Sequence, residues 1–251
     1  MIHHAMLAAF LAIGPDGATA AEAKAAVAAF DAVASRKASA LPAVEEYETK
    51  KALEDLARVD HPLVAKRIAR VFEKDKRPDL RREALERLGR QKASPRVVEP
   101  VALSVVEDPA APPEWVLSAL AIVSEFRFEG ALDPVAKLLS HKSDPVALAA
   151  VRTLGAIGEK RALRPLLDFF EVNELKPGED VSVRVDTGAP GGRDAALAAR
   201  AGKARQKQRR GNRDEVLAAC SEVASALTEA KIEKAEELRA WIRDHREEIR
   251  D

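Results

Sequence analysis

The chain of 251 residues sets 41 Lys and Arg against 41 Asp and Glu, and 47% of it is hydrophobic. That is enough for one large domain or two small ones around a sizeable core, and the composition excludes a disordered or membrane-embedded chain. Aromatic residues at 4% weigh against base-stacking platforms and aromatic cages, and the single cysteine, Cys220, excludes a disulfide framework or a multi-cysteine zinc site.

Residues 6–13 (MLAAFLAI) form an apolar run too short to span a bilayer but as long as a signal-peptide core. Ala18-Thr19-Ala20 offers a small-residue cleavage site, so residues 1–20 are expected to direct export to the periplasm or cell surface. The absence of Lys or Arg before the run favours the alternative, an N-terminal helix of a cytoplasmic protein. Residues 21–35 and 42–59 then read as helices, the first as an N-terminal cap.

Glycine divides the remainder. Only Gly89, Gly130, Gly155 and Gly158 fall between residues 18 and 177, whereas six glycines fall between 178 and 211. The first stretch reads as tightly connected helices and the second as a loop-rich insertion.

Within the helical stretch the chain repeats itself. Residues 119–139 match 150–170 at a constant offset of 31 without a gap: Ala119 with Ala150, Val123 with Leu154, Ser124 with Gly155, Pro134 with Pro165, Leu139 with Phe170. Earlier copies carry Ala84-Leu85, Leu88-Gly89 and Pro100-Val101, and before them Ala52-Leu53, Leu56-Ala57, Val64 and Ile68. Each copy holds two apolar stripes at helical spacing, such as Leu148, Val151, Leu154 and then Leu163, Leu166, Phe170. The small residues Ala57, Gly89, Ser124 and Gly155 are expected to let the paired helix approach closely. Pro62, Pro113 and Pro145 fall near helix starts, Pro134 and Pro165 in first turns, and Asp79 and Asp144 are expected N-caps. Helix pairs this short bury their apolar faces only by stacking.

The string at 147–170, ALAAVRTLGAIGEKRALRPLLDFF, closely resembles a HEAT repeat of the phycobilisome-lyase-like subfamily. The resemblance is specific there, weaker in the two preceding copies and loose in the first. It implies an all-α fold: a right-handed α-solenoid of about four helix pairs, with terminal helical caps and one loop or short hairpin insertion. The expected organisation is 21–177 for the N-terminal helices and repeats, 178–212 for the insertion, and 213–251 for a capping pair.

In the insertion, Val181, Val183 and Val185 alternate with polar residues like a short strand, and 187–192 read as a turn. Residues 193–213 carry eight bases against Asp194, a charge of +7 that the neutral total balances elsewhere. This segment reads as a solvated loop, as a clamp to an acidic surface (the acidic stretch 214–251 included), or as a contact for nucleic acid. From Asp214 the helical pattern returns with Val216, Leu217, Cys220, Val223, Ala224 and Leu227, followed by a turn at 228–232. A last helix, 236–249, carries Leu238, Trp241, Ile242 and Ile249; Cys220 reads as a core thiol, and Trp241 as packing over the end of the stack. The insertion, the Leu-Thr helix end and the Trp-bearing helix resemble exported bacterial HEAT-repeat proteins of unknown function, which commonly have glycine where this chain has Glu229.

Catalytic signals are absent from the sequence: no HExxH, GxSxG, P-loop or His-Glu dipeptide occurs. The expectation is a non-enzyme without cofactor or metal, acting as a scaffold for a protein or peptide partner. A bilin-lyase-type accessory, implied by the subfamily's name, and a HEAT-like nucleic-acid binder are the alternatives. In HEAT stacks the second helices line the concave side. Removing the apolar stripes leaves Lys66, Arg70, Arg96, Glu99, Asp133, Lys137, Arg161, Arg164 and Asp168 there, and Arg205, Lys207, Arg209 and Arg210 in the basic segment. The cations of both sets are the candidate partner contacts.

Overall fold

The computed structural model describes residues 18–35, 42–174 and 214–249, and every regular element among them is helical. The apolar run at 6–13, the strand and turn expected at 181–192 and the basic segment at 193–213 lie outside the described residues. The chain divides into two compact units, residues 1–128 and 129–251.

The described helices of the first unit are α1 (Ala20–Ala34), α2 (Pro42–Ala57), α3 (Pro62–Lys74), α4 (Pro78–Leu88), α5 (Pro95–Val106) and α6 (Pro113–Phe126). Helices α2 to α6 each open on proline, where the missing N–H costs nothing and φ is already helical. Helix α1 opens instead on a capping box. The Thr19 N–H donates to Glu22 Oε2 at 2.7 Å, and the Glu22 N–H donates back to Thr19 Oγ1 at 3.3 Å. That pairing holds the Glu22 carboxyl below its ordinary pKa.

The six helices form two layers, α1, α3 and α5 in one and α2, α4 and α6 in the other. Each helix of the first layer packs most closely on the helix after it: α1 on α2, α3 on α4, α5 on α6. The tightest hairpins are thus displaced by one helix from the pairs delimited by the sequence offset. Leu53, Leu56, Val64, Ile68, Leu80, Leu85, Leu88, Val98 and Leu120, all but inaccessible to solvent, make the core between the layers.

The second unit contains α7 (Leu132–Lys137), between 3-10 turns at Glu129–Ala131 and Leu138–Ser140, then α8 (Asp144–Ile157). A further 3-10 turn, Lys160–Ala162, leads into α9 (Leu163–Glu174). After the undescribed stretch come α10 (214–228), α11 (Ala235–Asp244) and a 3-10 turn at Arg246–Glu248. Helix α7 packs on α8, and α9 on α11. Val151, Leu154, Leu163, Leu166 and Phe170 are buried as their spacing predicts, but Leu148 is only half-buried. Val146, Ala147 and Ala150 turn inward in its place, so the stripe on α8 is wider than the three-residue reading.

The small residues act between different helices from those expected. A Cβ on Gly89 would lie 3.0 Å from Ile122 Cγ1, and one on Gly155 would lie 2.9 Å from Val223 Cγ2. Ile122 is on α6 and Val223 on α10, so each glycine admits the first helix of the following pair rather than its own partner.

Two cap assignments shift by one or two residues. The N-caps are Arg77 and Ser143, while Asp79 and Asp144 sit inside the first turns, where a carboxylate meets the positive end of the helix dipole. The last helix also ends earlier than its apolar pattern suggests. At His245 the backbone leaves the helical region (φ −115°, ψ 33°), its ring stacks on Trp241 at 4.1 Å, and Ile249 becomes buried through the 3-10 turn.

The turn after α10 puts Glu229 in a backbone conformation that favours glycine. Thr228 Oγ1 donates to Ala224 O at 2.8 Å, and the Ile232 N–H donates to Ser225 Oγ at 2.9 Å. Between these anchors Glu229 is held at φ 54°, the left-handed region that L side chains resist. Glu229→Gly is therefore expected to stabilise the chain by about 0.5–1 kcal/mol, the relieved strain exceeding the extra unfolded-state entropy. A raised midpoint of urea denaturation is the corresponding readout.

Candidate functional site

The candidate contacts fall on or beside the second helices of the sequence pairs, α3 and α5 in the first unit and α7 and α9 in the second. The first unit presents a solvent-open cleft of about 530 Å³ between α1 and α3. Val27 and Ala34 of α1 and Val71 of α3 supply its apolar walls, and Arg70 and Lys74 of α3 project at its edge. Two ion pairs frame it. Arg67 Nε and Nη2 both lie 2.7 Å from Asp31 Oδ1, with the guanidinium 4.7 Å over the Phe30 ring. Arg77 holds Asp75 through Nε at 3.0 Å and Nη2 at 2.9 Å, which keeps the Asp75 carboxyl below its ordinary pKa and raises that of Arg77.

In the second unit a cleft of about 580 Å³ lies beside α7, α8 and α9. Leu139, Phe169 and Val216 give it an apolar lining, Val172 stands 68% exposed at its margin, and Asp144 and Asp168 bring two negative charges against the one positive charge of Lys142.

Of the contacts expected from sequence, Arg70 lines the first cleft; Lys66, one turn earlier on α3, is exposed outside the lining. Arg96 is exposed at the second position of α5 and Glu99 half-buried one turn later. In the second unit Asp133 and Lys137 are exposed on α7, and Arg164 and Asp168 on α9. Arg161 lies on the 3-10 turn, 3.9 Å from Glu159. Within each unit the cations sit near different helix ends: Arg70 late in α3 but Arg96 at the start of α5, Lys137 at the end of α7 but Arg164 at the start of α9. Arg205, Lys207, Arg209 and Arg210 lie outside the described residues.

Sequence reasoning missed Lys74, Arg67 and Arg77. Lys74 continues the four-residue spacing of Lys66 and Arg70, which is the signal that finds it. The role of α1 as the opposite wall left no signal, because the repeat offset does not reach that helix.

Cys220 is inaccessible, and desolvation pushes its thiol up to about 12. It is expected to react with a thiol reagent at least about a hundredfold more slowly in the native chain than in denaturant, because little thiolate forms. Comparable rates in both states would refute this placement. No three His, Cys, Asp or Glu side chains among the described residues are grouped as metal ligands. None of the described helices is long and apolar enough to cross a membrane.

The two helix layers of the first unit and the packed helix pairs of the second define a helical-repeat protein. Residues 102–175 match the family of HEAT repeats, a stretch that begins in α5 and ends just past α9 and contains the gapless 31-residue offset. A comparison with curated proteins finds no match.

Proposed function

We propose that the chain is a non-catalytic scaffold that holds a protein or peptide partner on the second helices of its pairs, with the basic segment 193–213 as a further contact. The supporting observation is that each unit keeps an open cleft beside such helices, lined by both charged and apolar side chains. HEAT repeats commonly serve protein interactions, since stacked helices offer long surfaces without a reaction centre. The full chain coupled to a support should retain a protein from the source cell, and a chain lacking 178–212 should retain less of it. Failure of the full chain to retain any protein would overturn the reading.

The charge of 193–213 supports one other reading, an anionic polymer as partner. Retention on DNA or RNA at low salt, abolished by neutralising Arg205, Arg209 and Arg210, would establish it in place of the protein partner.

A further inference from the structure

We infer that the cleft between α1 and α3 takes an acidic peptide segment carrying an aliphatic side chain. This inference rests on the scaffold reading and names the partner chemistry of its first unit.

Charge decides the sign of the occupant. Arg67, Arg70, Lys74 and Arg77 line the cleft against Asp31 and Asp75. Both carboxylates are already committed, Asp31 to Arg67 and Asp75 to Arg77. Arg70 and Lys74 find no acidic partner among the described residues, so the cleft presents two free cations. They stand four residues apart on one helix face, about 6 Å, which matches carboxylates two residues apart on an extended chain at about 6.6 Å.

The walls decide the rest. Val27, Ala34 and Val71 leave an apolar floor that a simple anion would not use and an aliphatic side chain would cover. The cleft has room for a few side chains and is open to solvent, so a chain can pass through it. A nucleic acid fits less well, because Phe30 is buried beneath Arg67 and offers no face for a base to stack on. The two framing ion pairs hold their guanidiniums in place before the partner arrives, which lowers the ordering cost of docking.

The test is selection of a random twelve-residue peptide library (about 40 Å long when extended) on the full-length chain, followed by titration of the enriched peptides. Peptides rich in Asp and Glu with at least one Leu, Ile or Val are expected. Their affinity should fall as salt rises, by at least about tenfold in the R70E/K74E variant, and by less in R70Q/K74Q. Helical content measured by circular dichroism confirms that the variants fold, since both side chains are exposed. Enrichment of basic peptides, absence of enrichment, or affinity unchanged in R70E/K74E would each overturn the inference. The scaffold reading fails separately: if the chain retains a cellular protein equally well with R70E/K74E, the cleft assignment falls while the scaffold stands.

Discussion

Replacing Gln91 by Leu is expected to cost about 2–4 kcal/mol of stability, although the two side chains are nearly isosteric. Gln91 is fully buried between α4 and α5. Its Nε2 donates to Ala57 O at 3.0 Å, and its Oε1 accepts from the His61 N–H at 3.4 Å. The amide therefore satisfies the end of α2 and the start of α3 from the neighbouring loop. Leu leaves the buried Ala57 carbonyl and the part-buried His61 N–H unpaired, and a fully buried group of this kind costs about 1–3 kcal/mol, a part-buried one less. Asp60 ties the same two loops from the solvent side, both carboxylate oxygens accepting from the Ala93 N–H at 3.0 and 3.1 Å. It keeps the loops near each other in the variant without replacing the buried bonds. Gln91→Glu separates the contributions. A carboxyl there can donate to Ala57 O only when protonated, so burial raises its pKa in the folded chain. Its deficit relative to wild type should be smallest below the unfolded value of about 4.3 and grow as pH rises from there. Urea denaturation of both variants reads these effects as midpoint shifts with an unchanged slope. An unshifted midpoint for Gln91→Leu would refute the assignment.

Gly155→Ala should also destabilise, against the usual gain for a glycine inside a helix. Alanine brings about 1 kcal/mol of helix propensity. The added methyl, however, would meet Val223 Cγ2 at 2.9 Å and Cγ1 at 3.1 Å. A β-branched side chain in a helix has little rotamer freedom, so α8 and α10 must part instead. Overpacking of this kind costs about 1–3 kcal/mol, and a contact as short as 2.9 Å belongs to the upper part of that range, leaving a net loss of up to about 2 kcal/mol. In the double variant with Val223→Ala the clash disappears, so the combined loss should be smaller than the sum of the single losses. Strict additivity would show that the two residues do not touch in solution. Gly89→Ala should cost less, because the nearest atom is a single carbon of Ile122 at 3.0 Å.

Periodicity carried most of the fold. The three- or four-residue recurrence of Val64, Ile68 and Phe72, or of Leu163, Leu166 and Phe170, locates a buried face without knowledge of what covers it. Partner choice is a different matter, since a stripe looks the same whichever helix it meets. Gly155 was therefore legible as a close-approach site but not as a seat for Val223, more than sixty residues downstream. Gln91 was invisible, because a lone glutamine in a loop carries no period and its buried bonds run to residues 30 and 34 positions away. The α1–α3 cleft was half legible. Arg70 stood out as a polar position on an apolar helix, but the wall supplied by α1 appears only after folding brings residues 27 and 71 together.

Glu229 departs from the glycine that the resemblance implies, and at φ 54° it is a place where the chain tolerates strain. Its helix has a further consequence. The outward side of α10 exposes Asp214, Glu215, Ala218, Glu222 and Ala226, followed by Glu229 itself, with no base among them. A repeating array left without its final pair would offer Gly155 and the apolar strip beside it to any passing copy, the usual starting point of end-to-end polymerisation. With α10 in place that strip is covered by Val223 and its neighbours, and the side that α10 turns outward carries carboxylates instead.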